Sequence, residues 1–343
     1  MKNNLNPLLV ESYDYNLPKE LIASRPIKPA DNAKLLVYDR AKDKIVHTIF
    51  KDIDNFLPKN IPIVFNDTKV IKARIYGKKD TGGRIELLFN SPLDDKKFLV
   101  YIRGRVKVGS VLYFDEELKA KVIELEKDGS RIVEFYQKEK ILDFSSLVKI
   151  LEKIGHVPLP PYIKREDDKN DIKDYQTLFA KKDGAVAAPT ASLHFTKKLL
   201  ERLKKTHPFY FITLHVGAGT FKPVEAKEID KHIMHSEYYE IPEDTKKLIL
   251  SDKKFLAVGT TVTRAIEYFV RKKEDRGKAD IFLHPLNPPR RVDFLLTNFH
   301  LPKSTLLMLV ASFIGIEKTL SLYKEAIEKR YKFFSYGDAM LII

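Results

Sequence analysis

The sequence predicts an α/β fold, a layered sheet with flanking helices, that is interrupted by a small inserted all-β barrel. Before residue 67 and after residue 143, short apolar runs alternate with stretches of helical period. Between these parts the helical period disappears, and short apolar runs recur at even spacing with turn residues between them. A chain of 343 residues is also long enough for about two domains. We therefore expect a discontinuous α/β domain in 1–67 and 143–343, and a barrel in 68–142.

Each element is predicted from its local pattern. Asp14 and Asn16 are suited to cap a short helix at 18–23, and the apolar runs 34–38 and 61–65 are typical of buried strands. In the barrel region, strands are expected at 71–76, 85–89, 98–102, 106–114, 120–125 and 131–135. In the part after the barrel, strands are expected at 209–216, 255–259 and 280–283. Helices are expected at 196–203, where Thr196 is the cap, and at 243–250 and 261–270. A late amphipathic helix is marked by Ile316, Leu320, Tyr323 and Ile327, which recur at helical spacing.

Composition limits the function classes. Lys and Arg number 61 against 47 Asp and Glu, and the net charge of +14 favours polyanions, although a solubility surface explains it equally well. The absence of cysteine excludes disulfides, a cysteine nucleophile and iron–sulfur clusters. Residues 1–11 lack the apolar core of a signal peptide, and the apolar run 305–316 is too short to span a bilayer. We therefore expect a cytoplasmic protein.

Two segments that follow predicted strands indicate ligand binding. Gly217-Ala218-Gly219-Thr220 follows the strand at 209–216, but a third glycine is missing and Pro223 stands where a dinucleotide-binding helix should run. The turn therefore either leaves a central strand tightly or lets the backbone approach a ligand, with His215 beside it. In 258–264, three threonines and Arg264 at a helix start suit an anion or carboxylate, although ordinary capping explains them too.

Histidines and small residues mark further loops. His232 and His235 stand three apart with Glu237 close by, and this weak spacing favours a general base or a hydrogen-bonding role over a metal site. The run 184–196 is rich in small residues that allow close approach of a ligand, and 297–304 places polar donors before a helix that Ser304 is suited to cap.

Two basic clusters suit nucleic acid, although each is equally compatible with a solvated face. One lies in the barrel region, Arg103-Gly104-Arg105-Val106-Lys107. The other is the stretch 181–222, which carries 8 basic and 2 acidic residues.

Long, irregular segments resemble the queuosine-biosynthesis family of S-adenosylmethionine:tRNA ribosyltransferase-isomerases. They run in order from residue 13 to 342 and include Tyr15-Asn16-Leu17-Pro18, Val64-Phe65-Asn66-Asp67-Thr68-Lys69-Val70, Gly155-His156-Val157-Pro158-Leu159-Pro160-Pro161-Tyr162-Ile163, Leu214-His215-Val216-Gly217-Ala218-Gly219-Thr220-Phe221, Met234-His235-Ser236-Glu237-Tyr238-Tyr239, Leu296-Thr297-Asn298-Phe299-His300-Leu301-Pro302-Lys303-Ser304 and Phe333-Phe334-Ser335-Tyr336-Gly337-Asp338-Ala339-Met340.

The resemblance implies a fold, a reaction and its partners. It implies an α/β domain interrupted by a β-barrel, and transfer of the ribosyl portion of S-adenosylmethionine to 7-aminomethyl-7-deazaguanine at the tRNA wobble position. The product is epoxyqueuosine, and adenine and methionine are released. S-adenosylmethionine is then a cosubstrate, tRNA is the macromolecular partner, no metal is needed, and we expect a monomer without a membrane partner.

That chemistry needs acids and bases, and without cysteine or metal it falls to His, Asp, Glu or Tyr. The catalytic candidates are His215, His235 and Glu237, with His194 and His300 behind them, and each is equally compatible with a structural hydrogen-bonding role. The candidates for cosubstrate or modified-base contacts are Asn66, Asp67, Thr190, Gly217, Gly219, Thr220, Thr260, Arg264, Thr297, Asn298, Lys303 and Ser304. The candidates for phosphate contacts are Arg103, Arg105, Lys107, Lys181 and Lys182.

Two other function classes remain open from the sequence. One is another tRNA-modifying enzyme that uses S-adenosylmethionine, such as a methyltransferase, and the other is a non-catalytic RNA-binding protein. Release of free adenine indicates ribosyl transfer, whereas S-adenosylhomocysteine indicates methylation.

Overall fold

The computed structural model describes residues 5–221 and 224–343. The first four residues lie outside the described part, as do Lys222, which ends the basic stretch 181–222, and Pro223. The described chain forms an α/β unit around a nine-stranded sheet, and a closed antiparallel barrel is inserted into it. The predicted fold class is therefore confirmed.

Four strands precede the barrel: β1 (Lys34–Asp39), β2 (Lys44–Ile49), β3 (Ile63–Asn66) and β4 (Thr68–Val70). The strands predicted at 34–38 and 61–65 correspond to β1 and β3. Leu36 and Tyr38 of β1 pack in the core on one side of the sheet, whereas Leu35 and Val37 pack in the core on the other. Because both faces are covered, the strand is apolar throughout instead of alternating.

The inserted barrel is built from β5 (Arg74–Lys79), β6 (Arg84–Pro92), β7 (Lys97–Arg103), β8 (Val111–Tyr113), β9 (Leu118–Leu125), β10 (Arg131–Gln137) and the short β11 (Lys140–Ile141). The strand order β10-β7-β6-β5-β8-β9 closes because β9 also pairs with β10. Alternate residues such as Leu87, Phe89 and Val100 fill the interior. The strand predicted at 106–114 is shorter than expected because the chain turns at Gly109, where φ is +83°.

The rest of the chain adds seven strands and seven helices within the described residues. The strands are β12 (Lys182–Ala185), β13 (Phe209–Leu214), β14 (Glu237–Glu240), β15 (Leu256–Val258), β16 (Arg276–Ala279), β17 (Phe294–Asn298) and β18 (Ala339–Ile342). The helices are α1 (Phe144–Ile154), α2 (Asp171–Asp174), α3 (Lys197–Leu203), α4 (Glu243–Leu250), α5 (Thr260–Lys272), α6 (Thr305–Ile314) and α7 (Ile316–Glu328). The main sheet has the order β16-β14-β13-β3-β15-β17-β18-β1-β2.

Helix starts agree with the capping residues that the sequence indicates. The hydroxyl of Thr196 accepts from the N–H of Leu199 at 3.2 Å, and that of Ser304 accepts from the N–H of Leu307 at 3.2 Å. Within residues 5–221 and 224–343, no single helix has the length and apolar character to cross a membrane. The consecutive pair α6 and α7, bent by 112°, passes that test only when taken together, and on length and composition alone.

Two local predictions are wrong. The segment 280–283 is not a strand; its neighbour β16 pairs with β14 instead. Its apolar residues Ile281 and Leu283 are buried because the irregular chain packs in the core with α6 and α7. The helix expected at 18–23 is only a 3-10 turn, Lys19–Leu21, without a side-chain cap, so Asp14 and Asn16 do not cap it.

The domain boundaries at 67/68 and 142/143 stay predictions. β4, at the start of the predicted insert, pairs with β12 and not with a barrel strand. In addition, Leu147 and Leu151 of α1, just after the predicted insert, pack into the barrel core.

Candidate active site

Four neighbouring strands of the main sheet end at the same edge. β13, β3, β15 and β17 are parallel to one another. Their carboxyl ends therefore meet, which is the usual position of ligand sites in open sheets. The segments that leave these strands carry His215, Asp67, Thr260 and His300. The topology thus brings together side chains that are far apart in the sequence.

Two cavities lie on either side of the glycine turn, residues 217–220. The inner cavity, within the α/β unit, has a volume of about 90 Å³. The inter-domain cavity, between the barrel and the α/β unit, has a volume of about 750 Å³, within the usual range for ligand sites. Val216 and Thr220 line the inner cavity, whereas Gly217 and Gly219 line the inter-domain cavity. The turn is therefore the wall that the two cavities share.

A buried ion pair holds this turn. Oε1 of Glu237, at the start of β14, accepts from the N–H of Gly217 and from the hydroxyl of Thr220, both at 3.0 Å. Its Oε2 accepts from the guanidinium of Arg264 on α5, which also donates to the carbonyl of Ile281 at 3.3 Å. Glu237 and Arg264 are each only 5% exposed. Four of the predicted site residues thus form one structural unit, and Arg264 is not open to an external anion.

Asn66 fixes the strand that leads into the turn. Its Oδ1 accepts from the N–H of Leu214 at 3.0 Å and from that of Thr68 at 3.1 Å. Its Nδ2 donates to the carbonyl of Leu214 at 2.9 Å. The neighbouring Asp67 accepts from the hydroxyl of Thr213 at 2.6 Å. Both predicted contact residues therefore brace the chain around β3 and β13, and neither lines a cavity.

His215 lines the inter-domain cavity in an oriented, uncharged form. Its Nδ1 is 2.8 Å from the hydroxyl oxygen of Thr68, and its ring stacks on Tyr238. Burial, and then the charge of Lys182, lower the pKa of His215 to about 4, so the ring is neutral at physiological pH. Gly184 makes room for the ring: a Cβ there would lie 2.9 Å from it, and φ of this residue is +148°.

His235 packs directly against the glycine turn. A Cβ at Gly219 would lie 2.6 Å from its ring, so only glycine fits at that position. His235 lines the inter-domain cavity together with Glu237. Within residues 5–221 and 224–343, no group of three or more His, Asp or Glu side chains is arranged to hold a metal ion.

At the inner cavity, two of the predicted histidines pair with two of the predicted contact residues. Nδ2 of Asn298 is 3.2 Å from Nε2 of His194, and the hydroxyl of Thr297 is 2.8 Å from Nε2 of His300. Burial lowers the pKa of His194 to about 4 and that of His300 to about 3. Thr190, Thr260, Thr297, Asn298, His300 and Ser304 line this cavity. His194 lies behind the lining, in contact with Asn298.

The barrel contributes a residue that local sequence patterns do not reveal. The pairing of β6 with β7 is irregular between Phe89 and Ser91, and the intervening Asn90 reaches the glycine turn. Its Oδ1 accepts from the N–H of Ala218 at 2.8 Å. Asn90 also lines the inter-domain cavity. Its partner is 128 residues away in the sequence, so only the tertiary fold identifies it.

The remaining candidates lie on the surface. Nζ of Lys303 is 2.9 Å from the carboxylates of both Glu11 and Asp14, and Lys303 lines neither cavity. Nζ of Lys182 pairs with Glu240 at 2.9 Å. The other predicted phosphate contacts are exposed, namely Arg103, Arg105, Lys107 and Lys181.

Comparison with known proteins agrees with this architecture. The model of a family described as "Queuosine biosynthesis protein" matches residues 10–342. The chain belongs to this family. Proteins named S-adenosylmethionine:tRNA ribosyltransferase-isomerase from Nitratiruptor sp. and Aliarcobacter butzleri are 65% and 62% identical over 99% of this chain and 100% of their own length.

A solved relative of the queuosine biosynthesis family supports the fold. The crystal structure of S-adenosylmethionine tRNA ribosyltransferase from Thermotoga maritima covers 97% of this chain and 100% of its own, with 34% identity and a TM-score of 0.54. For a family member, the two cavities at the carboxyl edge of the sheet are the natural place to look for the substrates. Sequence reasoning missed Asn90 and Thr68, because each acts through a contact made only in the folded chain. It identified the small-residue run that begins at Gly184, but not that this glycine makes room for the ring of His215.

Proposed function

We propose that this protein transfers the ribosyl portion of S-adenosylmethionine to 7-aminomethyl-7-deazaguanine at the tRNA wobble position and isomerises it, which gives epoxyqueuosine and releases adenine and methionine. The enzyme is then a transferase with S-adenosylmethionine as cosubstrate and no metal. We also propose that it works in the cytoplasm, as a monomer and without a membrane partner.

The observation that carries this proposal is the inter-domain cavity. It is lined by Asp94, Asp95 and Asp128 of the barrel and by Asp143 at the start of α1, and its α/β side carries Lys278 and the neutral ring of His215. Carboxylates near the cavity favour a cationic aminomethyl group. The aminomethyl nitrogen must lose a proton to attack carbon, and we assign its acceptance to His215, which is uncharged and oriented by Thr68. The lowered pKa makes this imidazole a weak base, so the proton transfer is uphill and must accompany carbon–nitrogen bond formation.

We assign Glu237 and Arg264 to holding the glycine turn, since the carboxylate already accepts from Gly217, Thr220 and Arg264. His235, His194 and His300 remain candidates for acid–base work. For tRNA we propose contacts at Arg103 and Arg105, with Lys107, Lys181 and Lys182. Both basic clusters begin close to the inter-domain cavity. Tyr101, two residues before Arg103, lines that cavity, and so does Gly184, two residues after Lys182.

The test is incubation of the full-length protein with S-adenosylmethionine and tRNA that carries the aminomethyl deazaguanine. Nucleoside mass spectrometry should detect epoxyqueuosine, and chromatography should detect one equivalent of free adenine. S-adenosylhomocysteine without adenine would instead identify a methyltransferase. Binding of tRNA without either product would leave only an RNA-binding protein.

A further inference from the structure

Two buried oxygens of residues that line the inner cavity have no hydrogen-bond partner among the described residues, the hydroxyl of Tyr175 and Oδ1 of Asn298. Asn298 is 2% exposed, and its Nδ2 donates to the carbonyl of Phe334 at 3.0 Å. A carbonyl oxygen only accepts, so the carboxamide cannot be turned the other way round. Oδ1 of Asn298 is then left unpaired among the described residues. A buried acceptor without a donor destabilises the protein, and a ligand with an N–H group would relieve that cost.

The same orientation fixes the state of His194. Because Nδ2 of Asn298 is a donor, Nε2 of His194, 3.2 Å away, accepts from it and carries no proton. This histidine is therefore neutral and has no proton to offer to Oδ1. No described group donates to Oδ1 of Asn298, so this oxygen is free to accept from a ligand.

The inner cavity carries no formal charge. Its described lining contains no Asp, Glu, Lys or Arg, and most of its surface is apolar. The rings of Tyr162 and Phe334 lie 4.6 Å apart at its edge. Such a site favours a flat, uncharged heterocycle over an ammonium, a carboxylate or a phosphate.

The size of the cavity agrees with this chemistry. Its volume is about 90 Å³, whereas one water needs roughly 10–15 Å³ on the same scale. It therefore takes a group of several heavy atoms, such as a purine ring, but not a whole nucleoside with an amino-acid chain.

We propose that the inner cavity is the purine subsite for the cosubstrate, and that Asn298 Oδ1 accepts a hydrogen bond from the 6-amino group of adenine. This inference rests on the proposed function, because that function supplies an adenine-bearing cosubstrate. The charged methionine end then lies beyond the glycine turn, and the cationic deazaguanine base occupies the acidic inter-domain cavity. Asn298 is in this way a specificity residue that distinguishes a 6-amino from a 6-oxo purine.

The first experiment measures equilibrium binding of adenine and hypoxanthine to the full-length protein by calorimetry. Hypoxanthine offers an acceptor where adenine offers a donor, and we expect it to bind about 10- to 100-fold more weakly. The Asn298→Ala variant should bind both bases within about threefold of each other. An exposed asparagine provides the matched control, and Asn55→Ala should keep the wild-type preference. Equal affinity of the wild-type protein for both bases would overturn the proposal.

The second experiment uses turnover. The KM of S-inosyl-L-methionine should exceed that of S-adenosyl-L-methionine by a similar factor in the wild-type protein and in Asn55→Ala, and the ratio should approach one in Asn298→Ala. Full discrimination in a folded Asn298→Ala protein would contradict the assignment. If no epoxyqueuosine forms while adenine still binds in preference to hypoxanthine, the proposed function fails but the purine subsite is supported.

Discussion

At the level of single residues, His215 and Glu237 differ in which of their polar side-chain atoms already have hydrogen-bond partners in the protein. Both oxygens of Glu237 are occupied by Gly217, Thr220 and Arg264. His215 bonds only through Nδ1 to Thr68 among the described residues, so its Nε2 remains available at the inter-domain cavity. Loss of either side chain should slow the reaction strongly, but for different physical reasons.

We expect His215→Ala to lower kcat by about 10²- to 10⁴-fold, because a general base contributes that much. Its free energy of unfolding, measured with urea, should change by only about 1 kcal/mol, and tRNA binding should persist. Glu237→Gln should also lose transfer, but it leaves the buried guanidinium of Arg264 without a counter-charge and should cost about 3–5 kcal/mol of stability. Wild-type turnover in both variants would contradict both assignments.

Buried neutral histidines make stability depend on pH, and His194 and His300 contribute to this together with His215, whose pKa is also lowered to about 4. The pKa of His194 is lowered to about 4 and that of His300 to about 3, below the value of 6.5 that histidine has when unfolded. Between these values the unfolded chain binds protons that the folded protein does not, so stability is lost as pH falls below 6.5. Each histidine should contribute about 1 kcal/mol per pH unit near pH 5. Urea unfolding at pH 7 and pH 5 measures this slope.

His194→Gln provides the control for that prediction. The carboxamide oxygen of Gln can still accept from Asn298, but the side chain no longer titrates. The slope between pH 7 and pH 5 should therefore fall by about 1 kcal/mol per pH unit. An unchanged slope would show that His194 is not buried in the neutral form.

At the level of elements, a strand of the barrel touches the turn that divides the two cavities. The irregular pairing of β6 allows Asn90 to accept from the N–H of Ala218, while Gly217 and Thr220 of the same turn are held by Glu237. The glycine turn is therefore held by a side chain of the barrel, Asn90, and by a side chain of the α/β unit, Glu237. A displacement of the barrel would be passed on to the wall of both cavities.

We therefore expect Asn90→Ala to lower kcat about 10-fold while the KM for tRNA stays within twofold, because a loosened turn mispositions the reactants. Asn90→Asp keeps the acceptor for Ala218 and should restore most of the rate. Asn55→Ala should behave as wild type. A change confined to the KM for tRNA would instead make Asn90 an RNA contact.

Elements with a single local cause are predictable from the sequence, whereas those set by tertiary packing are not. Thr196 and Ser304 cap helices as expected, since capping needs only a neighbouring N–H group. The segment 280–283 has a strand-like pattern, but its apolar residues face α6 and α7 without a strand partner. In the site, Glu237 and Arg264 were each identified from their own segments, but their pairing depends on the way β14 packs beside α5.

At the level of the whole molecule, the insertion gives the protein a second wall for its larger cavity. The barrel supplies acidic residues and Asn90, and the α/β unit supplies His215 and the glycine turn. The protein has a net charge of +14, but the inter-domain cavity does not share this positive charge, because carboxylates of the barrel line it. Electrostatic attraction of RNA must come from surfaces around the cavity, not from its interior.

The basic residues beside the cavity provide the last prediction. Arg103 is 89% exposed in its side chain, and Arg105 and Lys107 follow it on the exposed surface. Replacing all three by alanine should weaken tRNA binding and reduce the salt slope by about 0.7–0.9 for each lost phosphate contact. The matched control replaces Lys253, Lys254 and Lys272, which are exposed and belong to neither cluster. Filter binding at several salt concentrations measures both slopes. If the barrel cluster is a docking surface, its triple variant should show a larger reduction of the salt slope than the control triple variant. Equal slopes would mean that the cluster only contributes to net charge.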